Sequence, residues 1–282
     1  MKKIFVLSPL VALLAGCITF TSDCECGNDC ACTKPCACKA APNTLSAAEE
    51  AEGWQLLWDG KTLNGWVGVK NLVAGRNEAP AHGWEIKDGI LTVLPCKSIT
   101  KEGHWADLPP ELAKLGGAGD ICTKKEYRDF EFKIDYRLTP AANSGIKYFY
   151  NPKKNKGTTL EYQLLDSGHP DWNRGKNGSR RVSALYDIFP ASENAAKKVG
   201  EWNTAKIVSK GNRVEHWLNG VKVLEFKRKS GEFRRGVNAS KYAKWGTEGE
   251  KKYWGELETG RILIQDHQDS RVSFRNIKIR EL

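Results

Sequence analysis

The chain has 282 residues, 40% of them hydrophobic and 28% charged, which is enough apolar content to bury a core and rules out a disordered chain. Ten Trp, nine Phe and eight Tyr against a single Met, with 27 Gly, favour a strand-rich fold with many turns over a helical bundle or coiled coil. The net charge of +10 is spread over short loop clusters such as Lys153, Lys154 and Lys156, or Arg174, Lys176, Arg180 and Arg181, with no nucleic-acid-binding fold around them.

The only long apolar run is N-terminal, so a polytopic membrane protein is excluded. Lys2 and Lys3 precede a short hydrophobic stretch from Ile4 to Leu14, and the pattern predicts a signal peptide over 1–16. Leu14-Ala15-Gly16-Cys17 resembles the lipobox of bacterial lipoproteins. The resemblance implies lipidation at Cys17, export and a membrane contact through the lipid anchor. With Ile18 next rather than Asp, the outer membrane is the expected destination, with the periplasm as the compartment.

Residues 17–52 are predicted to be a Cys-rich tether. Cys24, Cys26, Cys30, Cys32, Cys36 and Cys38 form a Cys-x-Cys-x3 array with too few apolar residues to fold alone. A plain tether, a soft-metal site resembling metallothionein, and non-local disulfides are all compatible with it. Ala47 to Glu52 reads as a short helical turn.

A single domain is expected over 53–282. Trp54 to Trp58 reads as a strand. Trp84 to Ile86 and Ile90 to Val93 flank Lys87-Asp88-Gly89 as a hairpin. Pro109 to Leu115 reads as a short helix or loop insert. Phe130, Phe132, Ile134, Tyr136 and Leu138 alternate strictly with Glu131, Lys133, Asp135 and Arg137, the period of a half-buried strand. Further strands are expected at 146–150, 160–165 and 202–209. The sequence from Val214 to Leu218, turning at Asn219-Gly220 into Val221 to Phe226, is the strongest hairpin signal, and strands at 261–265 and 272–280 complete the set. This spacing predicts an all-β, antiparallel two-sheet sandwich. Cys96 and Cys122 either pair within it or remain two buried free thiols.

Phosphate-cradling glycine loops, dinucleotide fingerprints, His-Glu-x-x-His and Gly-x-Ser-x-Gly are all absent. The chemistry-bearing stretch is Glu161-Tyr162-Gln163-Leu164-Leu165-Asp166. On a strand, Leu160, Tyr162 and Leu164 share one face while Glu161 and Gln163 share the other. Asp166 falls out of phase unless a bulge resets the register. The stretch is similar to the Glu-x-Asp-x-x-Glu strand of laminarinase-type glycoside hydrolases, with Gln163 replacing the middle Asp and Asp166 the last Glu.

A wider resemblance covers about 53–282. Gly53 to Trp66, Gly119 to Thr123, Tyr127 to Glu131, Asn143-Ser144-Gly145-Ile146, Glu161 to Asp166 and Ala184-Leu185-Tyr186 resemble, in order, the 3-keto-disaccharide hydrolase domain family. Gly200 to Asn203, His216 to Gly220, Gln265-Asp266-His267 and Phe274-Arg275-Asn276-Ile277 continue the match. The resemblance implies a concanavalin A-like jelly roll acting on carbohydrates oxidised at C3.

A ketone at C3 acidifies the C2 hydrogen, so a positioned carboxylate can remove it and the enolate can expel the C1 substituent. Glu161 is the expected base, with Gln163 and Asn143 or Ser144 as polar partners. Asp166 or His267 would serve the leaving group or hold a divalent ion, so a metal requirement is left open. Tyr186 is a candidate donor to the enolate oxygen. His169, in Gly168-His169-Pro170-Asp171-Trp172, is a candidate from a loop that could cover a cleft. His216 is expected to be structural, and Trp84, Trp202 and Trp217 stack on sugars or pack in the core. The alternative is a non-catalytic, lectin-like glycan-binding lipoprotein, which would show an aromatic platform and no buried acid.

Overall fold

A computed structural model describes residues 41–155, 158–245 and 254–282. The signal peptide, Cys17 and the Cys24 to Cys38 array lie outside the described residues.

In chain order the strands are β1 (Gln55–Leu56), β2 (Trp66–Gly68), β3 (Trp84–Lys87), β4 (Ile90–Val93), β5 (Lys97–Ile99), β6 (Trp105–Asp107), β7 (Ile121–Thr123) and β8 (Phe130–Leu138). They continue as β9 (Asn143–Tyr150), β10 (Leu160–Leu165), β11 (Asn203–Lys210), β12 (Arg213–Leu218), β13 (Val221–Lys227), β14 (Arg261–Ile264) and β15 (Val272–Glu281). Short helices α1 (Ala47–Ala51), α2 (Val69–Val73), α3 (Pro110–Ala113), α4 (Gly231–Ala239) and α5 (Tyr242–Trp245) decorate the loops. The larger sheet has the order β13-β12-β11-β8-β15-β4-β3, with β1 added on β15. The smaller sheet has the order β10-β9-β14-β7-β2, and every pairing in both is antiparallel. This is the two-sheet sandwich expected from the sequence.

The inner faces of the two sheets share one core. Strand β8 sends Phe130, Phe132, Ile134 and Tyr136 inward, while the smaller sheet contributes Ile146, Tyr148, Leu160, Tyr162 and Leu164. Each such side chain contributes on the order of 1.5–3 kcal/mol of burial free energy. The tight hairpins form where their turn residues tolerate a left-handed backbone. Asp88 and Gly89 have φ of 51° and 68°, and Asn219 and Gly220 have 50° and 85°.

Strands β9 and β10 are buried at every position, unlike the half-wet β8. Their outer face is covered by later segments of the chain. Residues 183–186 run along the open edge of β10, where Ser183 N–H donates to the Gln163 carbonyl (2.8 Å) and Tyr186 N–H to the Glu161 carbonyl (3.0 Å). That pairing closes what would otherwise be an exposed strand edge.

The N-terminal segment starts packing earlier than the 53 boundary drawn from sequence. Ser46 and Glu49 form a capping box on α1. Asn43 and Asn276 exchange backbone-to-side-chain hydrogen bonds of 2.6 and 2.8 Å across the bulge in β15. Asn276 also donates to Asp135 (2.7 Å), so the Phe274 to Ile277 motif is a structural clasp. Cys96 and Cys122 are both free thiols, not a pair, and burial pushes the Cys122 thiol up to about 12. His216 is fully buried, with Nε2 2.8 Å from the Tyr148 hydroxyl and Nδ1 2.9 Å from the Ser183 carbonyl, the structural role expected of it.

Candidate active site

The antiparallel register of β9 and β10 sets Glu161 opposite Lys147, Gln163 opposite Gly145, and Leu165 opposite Asn143. Alternation sends Leu160, Tyr162 and Leu164 into the core and turns Glu161 and Gln163 to the other face, as the sequence predicts. That face floors a cavity of about 250 Å³ lined by Asn143, Lys147, Thr158, Glu161, Gln163, Tyr186, Lys241, Tyr242, Gln265 and His267.

Glu161 is only 5% exposed. Its carboxylate lies over the bare backbone of Gly145, where a Cβ would sit 2.2 Å from Glu161 Oε1. The glycine of the Asn143 to Ile146 motif therefore makes room for the acid. Burial raises the Glu161 pKa, and the neighbouring Lys147 and Lys241 ammonium groups pull it partly back. Burial alone would lower the Lys147 pKa, but Asp120, at 3.7 Å, and Glu161 hold it above its usual value. Burial lowers the Lys241 pKa, with Glu161 opposing. A buried carboxylate thus faces two cations in a small polar chamber.

Lys241 reaches this chamber through Asp187, which accepts from the Lys241 N–H (2.7 Å) and from Arg180 Nε (2.6 Å). Its ammonium lies 4.1 Å from the centre of the Tyr186 ring. Lys147, Lys241 and Tyr242 carry no motif signal in the sequence. Lys147 could have been found from the period of β9, two residues beyond Gly145 on the same face. Lys241 and Tyr242 come from the turn into α5, whose placement over the sheet is a tertiary fact.

His267 enters from the loop after β14. Asp266 shapes that loop by accepting from the Gly119 and Gln268 N–H groups, each at 2.8 Å. The His267 ring is part of a chain of polar contacts. Gln163 Nε2 donates to Asn143 Oδ1 (3.1 Å), Asn143 Nδ2 meets His267 Nε2 (3.2 Å), and His267 Nδ1 meets Asp269 Oδ1 (2.9 Å). Trp105 stacks on the outer side of the ring, with centroids 5.6 Å apart, and keeps 51% of its own surface exposed.

Three sequence candidates sit elsewhere. Asp166 does not join Glu161: its Oδ2 accepts from the Ala141 N–H (2.8 Å) and the Gly168 N–H (3.1 Å), and it lines a separate cavity of about 120 Å³. No bulge resets the register between Glu161 and Leu165, so the out-of-phase position stays out of phase. Ser144 lies on the core face, fully buried, and its hydroxyl donates to the Gln265 carbonyl (2.8 Å). His169 is buried beneath His267, with ring centroids 6.0 Å apart, and does not line the cavity. Trp84 donates to the Gly119 carbonyl from the core, while Trp202 is flanked by Arg137 and Arg275, and Trp217 by Lys206; none of the three lines the cavity.

His169, His267 and Asp269 bring three potential metal-ligand atoms within 4.8 Å of one another. Their chemistry does not suit a cation. Asp171 N–H donates to His169 Nδ1 (3.0 Å), which places the neutral ring's proton on Nε2, the atom a metal would need. Metal-bound histidines have the reverse arrangement, with the distal nitrogen donating.

Residues 53–280 match the 3-keto-alpha-glucoside-1,2-lyase-like domain family. The chain is 32% identical over 260 residues to a 3-keto-disaccharide hydrolase of Bacteroides thetaiotaomicron, covering 86% of this chain and 83% of that one. Two solved Parabacteroides distasonis structures, provisionally described as glycosyl hydrolases, superpose with TM-scores of 0.66 and 0.57. They are 28% and 27% identical and cover 86% and 81% of this chain, and 100% and 99% of their own. The match spans every strand from β1 to β14 and nearly all of β15, together with the whole cavity. The chain therefore belongs to the 3-keto-alpha-glucoside-1,2-lyase-like domain family.

Proposed function

We propose that this glycosidase-type enzyme cleaves 3-keto-glycosides by removing the C2 proton, eliminating the C1 substituent and adding water. The observation that carries the reading is the Glu161 carboxylate, buried in a polar cavity on a glycine it could not share with any other residue. A lectin surface would not retain an acid at this desolvation cost.

Glu161 takes the C2 proton, which the C3 carbonyl acidifies. Its raised pKa makes it a stronger base than an exposed carboxylate. Lys147, Lys241 and Tyr186 line the same cavity and are the donors able to stabilise an enolate oxygen. Collapse of the enolate forms the C1=C2 bond and expels the C1 oxygen, which takes a proton from His267. Water then adds at C1 while Glu161 returns its proton to C2. No carboxylate has to act as a nucleophile, which fits Gln163 standing where a second acid would raise the first one's pKa.

Glu161→Gln should abolish release of the C1 alcohol from a 3-keto-glucoside while leaving the fold intact. The sign for stability follows from the raised pKa: the folded chain holds that proton more tightly, so the ionised acid costs stability as pH climbs past 4.5. At neutral pH the variant should melt no lower than wild type. Near-normal turnover would remove Glu161 from the mechanism.

Export is the second part of the proposal. Leu14-Ala15-Gly16-Cys17 supports an outer-membrane lipoprotein anchored at Cys17, which would place the enzyme where it meets external glycans.

A further inference from the structure

We propose that Asp269, clamped between His267 and His169, is the positioning residue that makes His267 the proton donor to the departing alcohol. The inference rests on the reading of Glu161 as the C2 base and adds the other half of the proton traffic.

The tautomers follow from the partners. Asp269 can only accept, so His267 Nδ1 at 2.9 Å must carry a proton. The Ser270 hydroxyl donates to the same carboxylate oxygen. On the other side, His169 Nε2 lies 3.7 Å from Asp269 Oδ2, beyond hydrogen-bond distance, and neither of these buried atoms has a hydrogen-bond partner. The carboxylate thus holds His267 by a hydrogen bond and has His169 as a near neighbour on its other oxygen. Burial would raise the Asp269 pKa, but the neighbouring His169, His267 and Ser270 outweigh it and hold the acid far below the usual carboxylate range. The variable position of the His267 ring is then Nε2, the nitrogen turned toward Asn143.

The amides can pair with that nitrogen in either state. With Nε2 unprotonated, Asn143 donates to it, Gln163 donates to Asn143, and Gln163 Oε1 is left buried without a partner. With Nε2 protonated, turning both amides by 180° lets Nε2–H donate to Asn143 Oδ1 and Asn143 Nδ2 donate to Gln163 Oε1. The atom left without a partner is then Gln163 Nε2 rather than Oε1. When Nε2 carries a proton, the Asp269 carboxylate bonded to Nδ1 is the counter-charge of the ring.

The step balances. Glu161 gains the C2 proton, and the C2–H pair becomes the enolate. The C1–O bond breaks with its electron pair going to oxygen, which takes the Nε2 proton. Neutral His267 then accepts a proton from the water that attacks C1, while Glu161 protonates C2. Both groups return to their starting states.

The test compares methyl and 4-nitrophenyl 3-keto-glucosides with wild type, Asp269→Asn and His169→Gln. An alkoxide needs a proton to leave and a nitrophenolate does not. Asp269→Asn should lose about 10²–10³-fold in kcat/KM on the methyl glycoside and less than about 10-fold on the nitrophenyl glycoside. His169→Gln should shift the same ratio in the same direction by less. The ratio between substrates cancels any loss of folded enzyme, so a destabilised variant still reports. Equal losses on both substrates, or no loss on either, would overturn the assignment. So would activity abolished by a chelator and restored by a divalent ion. Glu161→Gln should lose both substrates equally; if it does not, the base has been misidentified, while the Asp269 contrast is judged on its own ratio.

Discussion

Replacing Gly145 with alanine is the sharpest probe of the site, because it displaces the Glu161 carboxylate without touching it chemically. The new Cβ would lie 2.2 Å from Glu161 Oε1, 2.9 Å from Cδ and 3.0 Å from Cγ. An ordinary contact is roughly 3.5 Å, so Oε1 must retreat by about 1 Å. The backbone at Gly145 has no positive φ, so alanine is acceptable to the strand. An interior strand glycine costs roughly 0.5–1 kcal/mol relative to alanine, which offsets part of the strain of moving a buried acid. The expected result is a thermal midpoint close to wild type and a fall of about 10²-fold in kcat/KM, the usual consequence of a 1 Å error at a reacting group. The assay is initial-rate release of alcohol from a 3-keto-glucoside, beside a circular-dichroism melt of the same preparation. Wild-type kcat/KM with an unchanged melt would refute the reasoning, because the carboxylate would have left its place at no cost. Loss of the cooperative melt would equally refute it, by showing that β9 and not the side chain yields.

Two further predictions concern the rest of the chain. Burial lowers the His216 pKa from 6.5 to about 4, so the folded chain resists a proton that the unfolded chain accepts. Stability should therefore fall by about 3 kcal/mol as pH drops from 6.5 toward 4, and urea melts of His216→Gln should lose that part of the pH dependence; parallel curves for the two proteins would refute it. Radiolabelled palmitate should be incorporated into the full-length protein in a bacterial host and be lost in Cys17→Ala; equal labelling of both would refute lipidation at Cys17.

The sandwich was legible because its strands obey local rules. The alternation in β8 and the Asp88-Gly89 and Asn219-Gly220 turns specify strands and hairpins with no help from distant residues. The outward face of Glu161 and Gln163 was legible for the same reason. What failed, failed at the ends of strands. Asp166 needed a bulge to rejoin Glu161, and the chain instead spends that carboxylate on the Ala141 and Gly168 amides. Ser144 and Asn143 are neighbours in sequence, yet neighbours on a strand face opposite ways, and the Ser144 hydroxyl serves the Gln265 carbonyl. Lys241, Tyr242 and Asp269 were invisible because their roles depend on loops folding back over the smaller sheet.

Strand β9 ties these observations together. On one face it presents Asn143, Gly145 and Lys147: a contact for His267, room for the Glu161 carboxylate, and a buried cation. Its two neighbours dock by register, with Glu161 opposite Lys147 on one side and Leu263 opposite Lys147 on the other, and Gln265 N–H donates to the Gly145 carbonyl (2.9 Å). Glu161 and His267 come from segments about a hundred residues apart, and both meet β9, at Gly145 and at Asn143. A slip of one residue in either pairing would turn that partner's functional face into the core. The register shift between Arg261 and Leu263, with Phe149 at φ 58°, absorbs the irregularity at the far end of β9. Phe149 and Tyr148 both stay in the core there, while Tyr150 turns outward onto Cys122 and Leu263. The bulge thus leaves the pairings at 143–147 in phase, so sheet register fixes the floor of the cavity on which the loop residues Tyr186, Lys241 and His267 close.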